Sequence, residues 1–260
     1  MWKDKVVIIT GSSIGIGRRL ALEIGKRGGK IVLNARNGVR LAKTCAELKQ
    51  MGIQATAYPG DVSDHAVCTK IVAHTISEFG RLDVLINNAG ISTQASLEEI
   101  SPELFKKVVD VNYLGSVFIT QLAIPHLKKT KGSVMFIGSV AGIHGLGNFS
   151  AYSSSKMALT GLAESLSKEM KRSGVHVGIA YVGFTQNDPE KTIYDKDGQL
   201  IPQPSRSFKQ ESTEKVALRL MNMIEHRKFK SVFTPLGKLN ALMNRISPTL
   251  VHLILQKNTK

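Results

Sequence analysis

The residues best suited to acid–base chemistry lie in the segment Tyr152-Ser-Ser-Ser-Lys156. At a spacing of four, a helix places the Tyr152 phenol and the Lys156 amine on one face. A phenol has a reference pKa of about 10. A neighbouring ammonium or an oxidised nicotinamide favours the phenolate and brings that pKa toward neutral pH. Tyr152 is therefore predicted to give a proton to a carbonyl oxygen or to take one from an alcohol.

Two further polar residues complete the predicted catalytic group. Ser139 ends an apolar run, where its hydroxyl can hydrogen-bond the same substrate oxygen. Lys156 is assigned a second task, that of holding the ribose hydroxyls of a nicotinamide cofactor. Asn112 lies in a long helical pattern and is expected to orient a water that relays protons to Lys156. The predicted catalytic residues are thus Asn112, Ser139, Tyr152 and Lys156.

The motif TGSSIGIG at residues 10–17 lies between an apolar strand pattern and a helical pattern. A strand, a glycine turn and a helix start make a dinucleotide pocket, because glycines permit the tight turn and the approach of the backbone to the pyrophosphate. Free amides at the helix N-terminus then face the phosphates. The cofactor contacts predicted here are Gly11, Ser13, Ile14, Gly15, Ile16 and Gly17.

The end of the second predicted strand bears on the choice between NAD and NADP. In NAD sites an acidic residue about 20 positions past the glycines binds the ribose 2′-hydroxyl. Here the strand ends in Asn34-Ala-Arg36-Asn37, with no acid. A carboxylate would repel a 2′-phosphate, whereas a guanidinium pairs with it. Arg36 and Asn37 are therefore predicted cofactor contacts, with Arg36 selecting NADP(H); the alternative is an arginine solvated in a surface turn.

The ends of later strands supply further expected contacts with the cofactor. Asp61 follows the third strand and can accept a hydrogen bond from the adenine amino group, with the Val62 amide beside it. The segment NNAG at residues 87–90 has small residues where the ribose passes close to the backbone, although a plain turn explains it equally well in isolation. The contacts predicted from these segments are Asp61, Val62, Asn88, Ala89 and Gly90.

Apolar β-branched runs alternate along the chain with longer amphipathic runs. Strands are predicted at Val6–Thr10, Lys30–Asn34, Ala55–Tyr58, Val84–Asn87, Ser133–Gly138, His176–Tyr181 and Ser231–Phe233. Helices are predicted at Arg18–Arg27, Val39–Met51, Ala66–Phe79, Pro102–Leu127, Tyr152–Arg172 and Thr213–His226. This alternation indicates an α/β, doubly wound fold whose parallel sheet is covered on both faces. Ligands of such sheets bind beyond the carboxyl ends of the strands.

Together and in this order, the motifs resemble those of the short-chain dehydrogenase/reductase family. The resemblance covers roughly residues 4–235 and includes TGSSIGIG, the Asp61-Val62 pair, NNAG, VDVNYLGS, IGSVAG and YSSSK. It implies a single Rossmann-like domain with a seven-stranded parallel sheet, in agreement with the seven predicted strands. An Arg at the position of Arg36 is also what the NADP(H)-dependent members carry. The resemblance further implies a homodimer or homotetramer.

One segment departs from the family pattern. After the sixth strand the family commonly has Pro-Gly and then a Thr that holds the nicotinamide carboxamide. Here residues 181–187 read YVGFTQN, with Val182 in the place of Pro. Gly183 and Thr185 are counted among the predicted cofactor contacts, and either Thr185 or Asn187 is left to hold the carboxamide. In lacking a strict Pro-Gly the chain resembles the members that act on steroids and long-chain keto-lipids.

Length and composition favour one domain, because the 260 residues contain no low-complexity linker. The dinucleotide-binding and catalytic domain is assigned to 1–235, and 236–260 to a basic amphipathic extension of the same domain. No secretory signal is found, nor an apolar run of the ~20 residues that span a bilayer. Cys45 and Cys68 lack metal spacing. The chain is therefore expected to be cytoplasmic, with reduced thiols and no metal.

The net charge of +15 is unevenly placed, since no acidic residue follows Glu225. No nucleic-acid fold motif accompanies the basic charge, so nucleic acid is not an expected partner. Beyond this point Leu239, Leu242, Met243 and Ile246 recur at helical spacing and form one apolar face. Such a basic amphipathic segment can lie in an anionic membrane interface. The alternative is a helix that packs on the domain or on a second subunit.

The polar stretch 185–212 follows a strand end and is predicted to be a substrate lid. Around the expected substrate space the side chains are mostly apolar: Val140, Ile143, Leu146, Phe149, Val182 and Phe184. The predicted function is NADPH-dependent reduction of a carbonyl on a hydrophobic substrate, such as a steroid or a keto-lipid resembling 3-ketosphinganine. The alternatives are a 3-oxoacyl-carrier-protein reductase and a non-catalytic NADP(H) sensor.

Overall fold

A computed structural model describes residues 1–186, 188–203, 210–247, 249, 251 and 252. Its strands are β1 (Val6–Thr10), β2 (Lys30–Ala35), β3 (Ala55–Pro59), β4 (Val84–Asn87), β5 (Ser133–Ser139), β6 (His176–Val182), β7 (Thr192–Tyr194), β8 (Leu200–Pro202) and β9 (Lys230–Val232). Seven of them form one sheet in the order β3-β2-β1-β4-β5-β6-β9, and every neighbouring pair is parallel. The predicted seven-stranded parallel sheet is therefore confirmed.

Eight helices are described around this sheet. They are α1 (Gly15–Gly25), α2 (Gly38–Gln50), α3 (His65–Phe79), α4 (Pro102–Val109), α5 (Gly115–Thr130), α6 (Ser150–Glu169), α7 (Thr213–Glu225) and α8 (Pro235–Ile246). Core residues of α1, α2 and α7 pack in one apolar cluster, and those of α3, α5 and α6 pack in another. The sheet is thus covered by helices on both faces, as the alternating sequence pattern predicts.

The central strand β1 shows why the sheet is buried on both sides. Val7 and Ile9 belong to the first cluster, whereas Val6 and Ile8 belong to the second. Successive side chains of a strand point to opposite faces, so a continuous apolar run fills both layers. From β1 the sheet continues through β2 to β3 on one side and through β4 to β5 on the other. The strand order therefore reverses between β1 and β4. A ligand crevice is expected beyond the carboxyl ends of these two strands.

The structure departs from the predicted elements in two places. The helix predicted at Pro102–Leu127 is interrupted by a π-helical turn, Asp110–Leu114, because its hydrogen bonds change register there. The stretch predicted as a lid is not all loop, since β7 and β8 form an antiparallel hairpin within it. The tail helix is present as α8, but residues 248, 250 and 253–260 of the extension lie outside the described part of the chain.

Among the described residues, one helical stretch is long and apolar enough to cross a membrane by length and composition alone, Pro102–Thr130. Of its most apolar window, 44% is buried inside the protein. Ile119 and Ala123 of this stretch belong to the core that packs on the sheet. The expectation that no run reaches this length is therefore corrected, and one face of this stretch packs in the core.

Candidate active site

The predicted catalytic residues meet at the carboxyl edge of the sheet, where β5 passes into α6. Ser139 is the last residue of β5 and lies opposite Val182 of β6. Tyr152 and Lys156 lie in the first two turns of α6, and the Lys156 amine is 5.9 Å from the centroid of the Tyr152 ring. The spacing of four thus does place phenol and amine together, as the sequence predicts.

Lys156 is a buried cation, with only 5% of the residue exposed. Its Nζ donates a hydrogen bond to the carbonyl oxygen of Ile137 at 3.0 Å. Burial, and to a smaller extent the charge of Lys191, together lower the pKa of Lys156 to about 8. Because this value still lies above neutral pH, the amine remains protonated at pH 7. A positive charge is therefore held beside the Tyr152 phenol.

Ser139 also shapes the turn that follows it. Its side chain accepts a hydrogen bond from the Ala141 amide at 3.2 Å and caps the short 3-10 helix Val140–Gly142. Since the oxygen is the acceptor in this bond, the hydroxyl proton can still be donated. The geometry is therefore compatible with the predicted hydrogen bond from Ser139 to a substrate oxygen.

Asn112 is fully buried in the π-helical turn and its side chain is occupied by protein partners. The Oδ1 atom accepts from the Ile91 amide at 2.8 Å, and Nδ2 donates to the Ile91 carbonyl at 3.0 Å and to Ser155 Oγ at 3.0 Å. The side chain therefore joins the segment after β4 to α6. A water oriented by Asn112 for Lys156 would be held by the second lone pair of Oδ1 or by the main-chain carbonyl, which already accepts from Ser116.

Two glycines permit the close packing around Lys156. A Cβ at Gly142 would lie 2.8 Å from the Lys156 carbonyl oxygen, so the turn after Ser139 packs directly on the backbone of α6. A Cβ at Gly90 would lie 3.2 Å from Asn112 Oδ1 and 3.4 Å from Lys156 Nζ. Neither position tolerates a side chain without movement of a predicted catalytic residue.

The glycine turn between β1 and α1 has the shape that a dinucleotide requires. Gly11 has a φ of +63°, and a Cβ there would lie 2.8 Å from Ala89 Cα. A Cβ at Gly17 would lie 2.4 Å from the Gly11 carbonyl oxygen, so helix and turn are in direct backbone contact. Ser13 and Ile14 lead into α1, with Ile14 in an extended conformation at its N-cap, and Ile16 lies in its first turn. These residues form a backbone cradle that fits a pyrophosphate.

A carboxylate of this chain, that of Asp188, lies at the start of α1. The Gly15 amide, at the start of α1, donates to a carboxylate oxygen of Asp188 at 3.2 Å. Gly15 has a φ of +58°, and a Cβ there would meet nothing within 4 Å. The amide therefore points at space that a negatively charged group can enter, which is what phosphate binding at a helix N-terminus requires.

Hydrogen bonds of the Thr10 and Asn88 side chains join the cradle to the NNAG segment. Thr10 Oγ1 accepts from the Asn88 and Ala89 amides, both at 3.0 Å. Asn88 Nδ2 donates to the carbonyls of Thr10 and Gly11 at 2.9 and 2.8 Å. Asn88 is a predicted cofactor contact, but both of its side-chain hydrogens are used inside the protein. A contact with the ribose would therefore come from its oxygen or its backbone.

At the end of β2, Arg36 and Asp61 face one another with Nη1 and Oδ2 separated by 3.7 Å. The other oxygen of Asp61 accepts from the Ser63 amide at 2.9 Å and from its hydroxyl at 2.8 Å. Asn37 caps α2 by accepting from the Arg40 amide at 2.9 Å. The structure thus brings Arg36, Asn37 and Asp61 to one place beside the cradle.

The remaining predicted cofactor residues are distributed as follows. Val62 is buried, and a Cβ at Gly115 would lie 2.7 Å from its side chain. Gly183 follows β6, and a Cβ there would lie 2.5 Å from the Thr234 methyl group. Thr185 Oγ1 donates to the Gly183 carbonyl at 3.3 Å. Asn187 lies outside the described residues, so the choice between Thr185 and Asn187 stays open.

Three residues that support the site were not singled out from the sequence. They are Thr10, Asn34 and Tyr194. Asn34 joins the ends of β2 and β3, since its Nδ2 donates to the carbonyls of Tyr58 and Gly60 at 3.0 and 3.2 Å. Burial raises the pKa of Tyr194, but hydrogen bonds to Lys107 and Arg36 outweigh burial and lower the pKa below its usual value. Polar residues at strand ends could have marked Thr10 and Asn34, whereas nothing local marks Tyr194.

The apolar residues expected around the substrate do not all remain available. Val182 is buried in the core, and Ile143 packs against the core of the other face. Phe184 is exposed at the start of the lid stretch. Val182 and Ile143 are therefore less available to a substrate than the sequence predicts, and Phe184 is the most exposed of these three.

Comparison with known proteins identifies the family. The family model for short chain dehydrogenases matches residues 5–198, which include the glycine cradle, Asn112, Ser139, Tyr152 and Lys156. This chain belongs to the short-chain dehydrogenase/reductase family. It is therefore an oxidoreductase by family, and the resemblance drawn from the motifs is confirmed.

Among characterised relatives of this short-chain dehydrogenase/reductase, 11-beta-hydroxysteroid dehydrogenase-like 2 of Arabidopsis thaliana is 39% identical over 211 residues, which cover 79% of this chain and 68% of the relative. The 3-dehydrosphinganine reductase of Danio rerio is 34% identical over 255 residues, which cover 93% of this chain and 75% of the relative. The chain spans between 62% and 75% of the length of these and two further Arabidopsis relatives.

The solved structures agree on the fold. A short chain dehydrogenase/reductase from Burkholderia phymatum in complex with NAD superposes with a TM-score of 0.84 at 24% identity, covering 96% of this chain and 95% of that chain. At this identity the likeness shows the fold alone. It confirms the Rossmann-like architecture that the motifs imply.

The packing at Gly142 gives a first prediction. Gly142→Ala should lower kcat and reduce the free energy of unfolding by about 1–3 kcal/mol, because its methyl group pushes the turn after Ser139 away from Lys156. Urea unfolding and steady-state kinetics measure both effects. Gly145→Ala, in the same loop, is the matched control, since a Cβ there meets nothing within 4 Å, and its unfolding free energy should stay within about 0.5 kcal/mol of the parent. Equal behaviour of the two variants would contradict the packing argument.

Proposed function

We propose that this short-chain dehydrogenase/reductase uses NADPH to reduce a carbonyl group on a hydrophobic substrate, with Tyr152 as the proton donor. The observation that carries the proposal is the buried Lys156 amine, which lies 5.9 Å from the centroid of the Tyr152 ring. Burial of a cation is costly and is offset by hydrogen bonds and by an opposite charge, and at this position the amine can stabilise a phenolate. In the reverse direction the same pair takes a proton from a secondary alcohol.

The chain's residues would share the work as follows. Ser139 donates a hydrogen bond to the substrate oxygen, keeps its own proton, and holds that oxygen near Tyr152. Tyr152 gives up its proton to the same oxygen, and Lys156 stabilises the phenolate that remains. Asn112 is a positioning residue, because its side chain fixes α6 against the segment after β4. The bound nicotinamide would supply the two electrons of the reduction.

The cofactor part of the proposal rests on the end of β2. The glycine cradle, Asp61, Val62, Asn88, Ala89 and Gly90 would hold the parts common to NAD and NADP. Arg36 carries a positive charge directly after the strand, and β2 ends without the acidic residue that NAD sites use. Gly183 and Thr185 would contact the nicotinamide end. The preference for NADP(H) is therefore assigned to Arg36.

The substrate class is proposed from the relatives and from the apolar residues at the site. The two quoted relatives are named for a hydroxysteroid and for 3-dehydrosphinganine, which are both hydrophobic carbonyl or alcohol compounds. Phe184 is exposed beside the site. We therefore favour a steroid or a long-chain keto-lipid over a small charged ketone. A 3-oxoacyl-carrier-protein reductase is the second candidate, because the net charge of +15 would attract an acidic carrier.

A panel of ketones tests the reaction and the substrate class together. NADPH oxidation should occur with a steroid or sphingoid ketone and be slower with small ketones and carrier-bound thioesters. Tyr152→Phe should lower kcat by about 10²- to 10⁴-fold, because the proton donor is lost, while NADPH still binds. Tyr58→Phe, which removes a phenol hydroxyl on β3, should leave kcat unchanged. If NADPH binds and no ketone turns over, the chain is a non-catalytic sensor and the proposal fails.

The assignment of Arg36 has its own test. Arg36→Asp should lower the ratio of kcat/KM for NADPH to that for NADH by at least about tenfold, since a charge-assisted contact is replaced by repulsion. Arg172→Asp makes the same charge change on an exposed residue after α6, at the other edge of the sheet, and should leave the ratio unchanged. An unaltered ratio in the Arg36 variant would show that the arginine is merely solvated.

We further propose that residues 236–260 form an extension of the domain 1–235 that contacts an anionic membrane surface, in a cytoplasmic homo-oligomer. On α8, Leu239, Leu242 and Ile246 are 54%, 56% and 76% exposed. They recur on one face of the helix, in a segment that follows the last acidic residue, Glu225. Apolar exposure together with basic charge is typical of helices that lie in a membrane interface.

Vesicle sedimentation tests this contact. The full chain should sediment with vesicles that contain phosphatidylserine and much less with phosphatidylcholine alone. The triple variant Leu239→Gln, Leu242→Gln, Ile246→Gln should lose most of this binding, whereas Leu97→Gln, at an exposed leucine elsewhere, should keep it. Equal sedimentation of the triple variant and the parent would refute the membrane contact. A change in oligomeric state alone would instead assign α8 to a subunit interface.

A further inference from the structure

Two carboxylates in the segment that follows β6 contact positively polarised or charged groups of the predicted cofactor site. Asp188 Oδ2 accepts from the Gly15 amide at 3.2 Å, and Glu190 Oε2 is 2.7 Å from Arg40 Nε. The two acids are separated by Pro189, which restricts the backbone between them. One short segment therefore places two negative charges on two separate electropositive groups of the same cleft.

The first of these groups is the helix N-terminus that faces the pyrophosphate in dinucleotide sites. The second, Arg40, lies in the first turn of α2, three residues after the N-cap Asn37 and four after Arg36. Because Asn37 caps the helix through the Arg40 amide, Arg36 and Arg40 belong to one turn of chain at the end of β2. This end of β2 is where a ribose 2′-phosphate is expected.

The same segment continues over the other arginine. Tyr194, at the end of β7, hydrogen-bonds Arg36, and its amide donates to the Ser92 carbonyl at 2.9 Å beyond the NNAG segment. Residues 188–194 therefore contact the start of α1, Arg40 and Arg36. A 2′-phosphorylated dinucleotide would carry its anionic groups to these same places.

We propose that Asp188 and Glu190 compete with the cofactor in this cleft, Asp188 for the place of the pyrophosphate at the start of α1 and Glu190 for the place of the 2′-phosphate at Arg40. This inference rests on the NADP(H) preference proposed above. Binding of NADPH then displaces both carboxylates, whereas NADH, which has no 2′-phosphate, displaces Asp188 alone. The two acids are internal competitors of the cofactor and of unequal importance for its two forms.

The expected size of the change in cofactor affinity follows from the exposure of the Arg40 and Glu190 side chains. The Arg40 and Glu190 side chains are 33% and 58% exposed, so their ion pair is screened by solvent and weak. Its removal should change an affinity by about two- to fivefold. Loss of Arg40 should cost more, about tenfold for NADPH, because a charge-assisted contact with a phosphate disappears.

Calorimetric titration of the purified chain with NADPH and with NADH tests the proposal without turnover. Glu190→Gln should tighten NADPH binding about two- to fivefold and leave NADH unchanged, whereas Asp188→Asn should tighten both. Arg40→Gln should weaken NADPH alone. In the Arg40→Gln background, Glu190→Gln should have no further effect. The matched controls, Asp197→Asn in the β7–β8 turn and Lys43→Gln one turn further along α2, should bind both cofactors like the parent.

The outcomes separate this inference from the function on which it rests. If the parent binds NADH as tightly as NADPH, the proposed cofactor preference fails, and this inference fails with it. If the parent prefers NADPH but Glu190→Gln and Asp197→Asn bind it equally, only the role of Glu190 as a competitor is overturned. If Arg40→Gln and Lys43→Gln bind NADPH alike, Arg40 does not select the phosphorylated cofactor.

Discussion

The structure depends on the burial of one ammonium group at the junction of β5 and α6. Lys156 loses its hydration there and donates a hydrogen bond to the Ile137 carbonyl, so its surroundings must be held closely. Gly142 lets the preceding turn rest on its backbone, and Gly90 leaves room for its amine. Removal of either space would move the cation away from Tyr152. This burial is the main cause of the lowered pKa of Lys156.

The cofactor cradle and the catalytic helix are joined through one short segment, residues 88–91. At its start Thr10 and Asn88 fasten it to the glycine turn. At its end Ile91 is held by both polar atoms of Asn112, which also binds Ser155 of α6. Ala89 and Gly90 lie between these hydrogen bonds, and their small size lets a ligand approach the backbone closely. Cofactor and substrate oxygen can therefore be placed relative to one another by hydrogen bonds that need no ligand.

The sequence predicts the strands and most helices closely because they follow local rules. The run Val6–Thr10 fills both faces of the sheet, and the spacing of Tyr152 and Lys156 needs only a helix. The π-helical turn around Asn112 was not predictable, because it depends on partners 21 and 43 residues away, at Ile91 and Ser155. The same reason explains Asn88, whose side chain serves the turn at Thr10 and Gly11 rather than pointing at solvent.

The net charge of +15 suggests a strongly basic cofactor edge, but the ion pairs argue otherwise. Arg18 pairs with Glu47 and Arg19 with Glu214, both at 2.6 Å, while Arg36 faces Asp61 and Arg40 meets Glu190. Each of these arginines thus has an acidic partner before any cofactor arrives. This edge of the described structure is therefore lined by ion pairs and is not a uniformly basic groove. The segment beyond Glu225 contributes seven of the 15 net positive charges, because no acid follows there in the sequence.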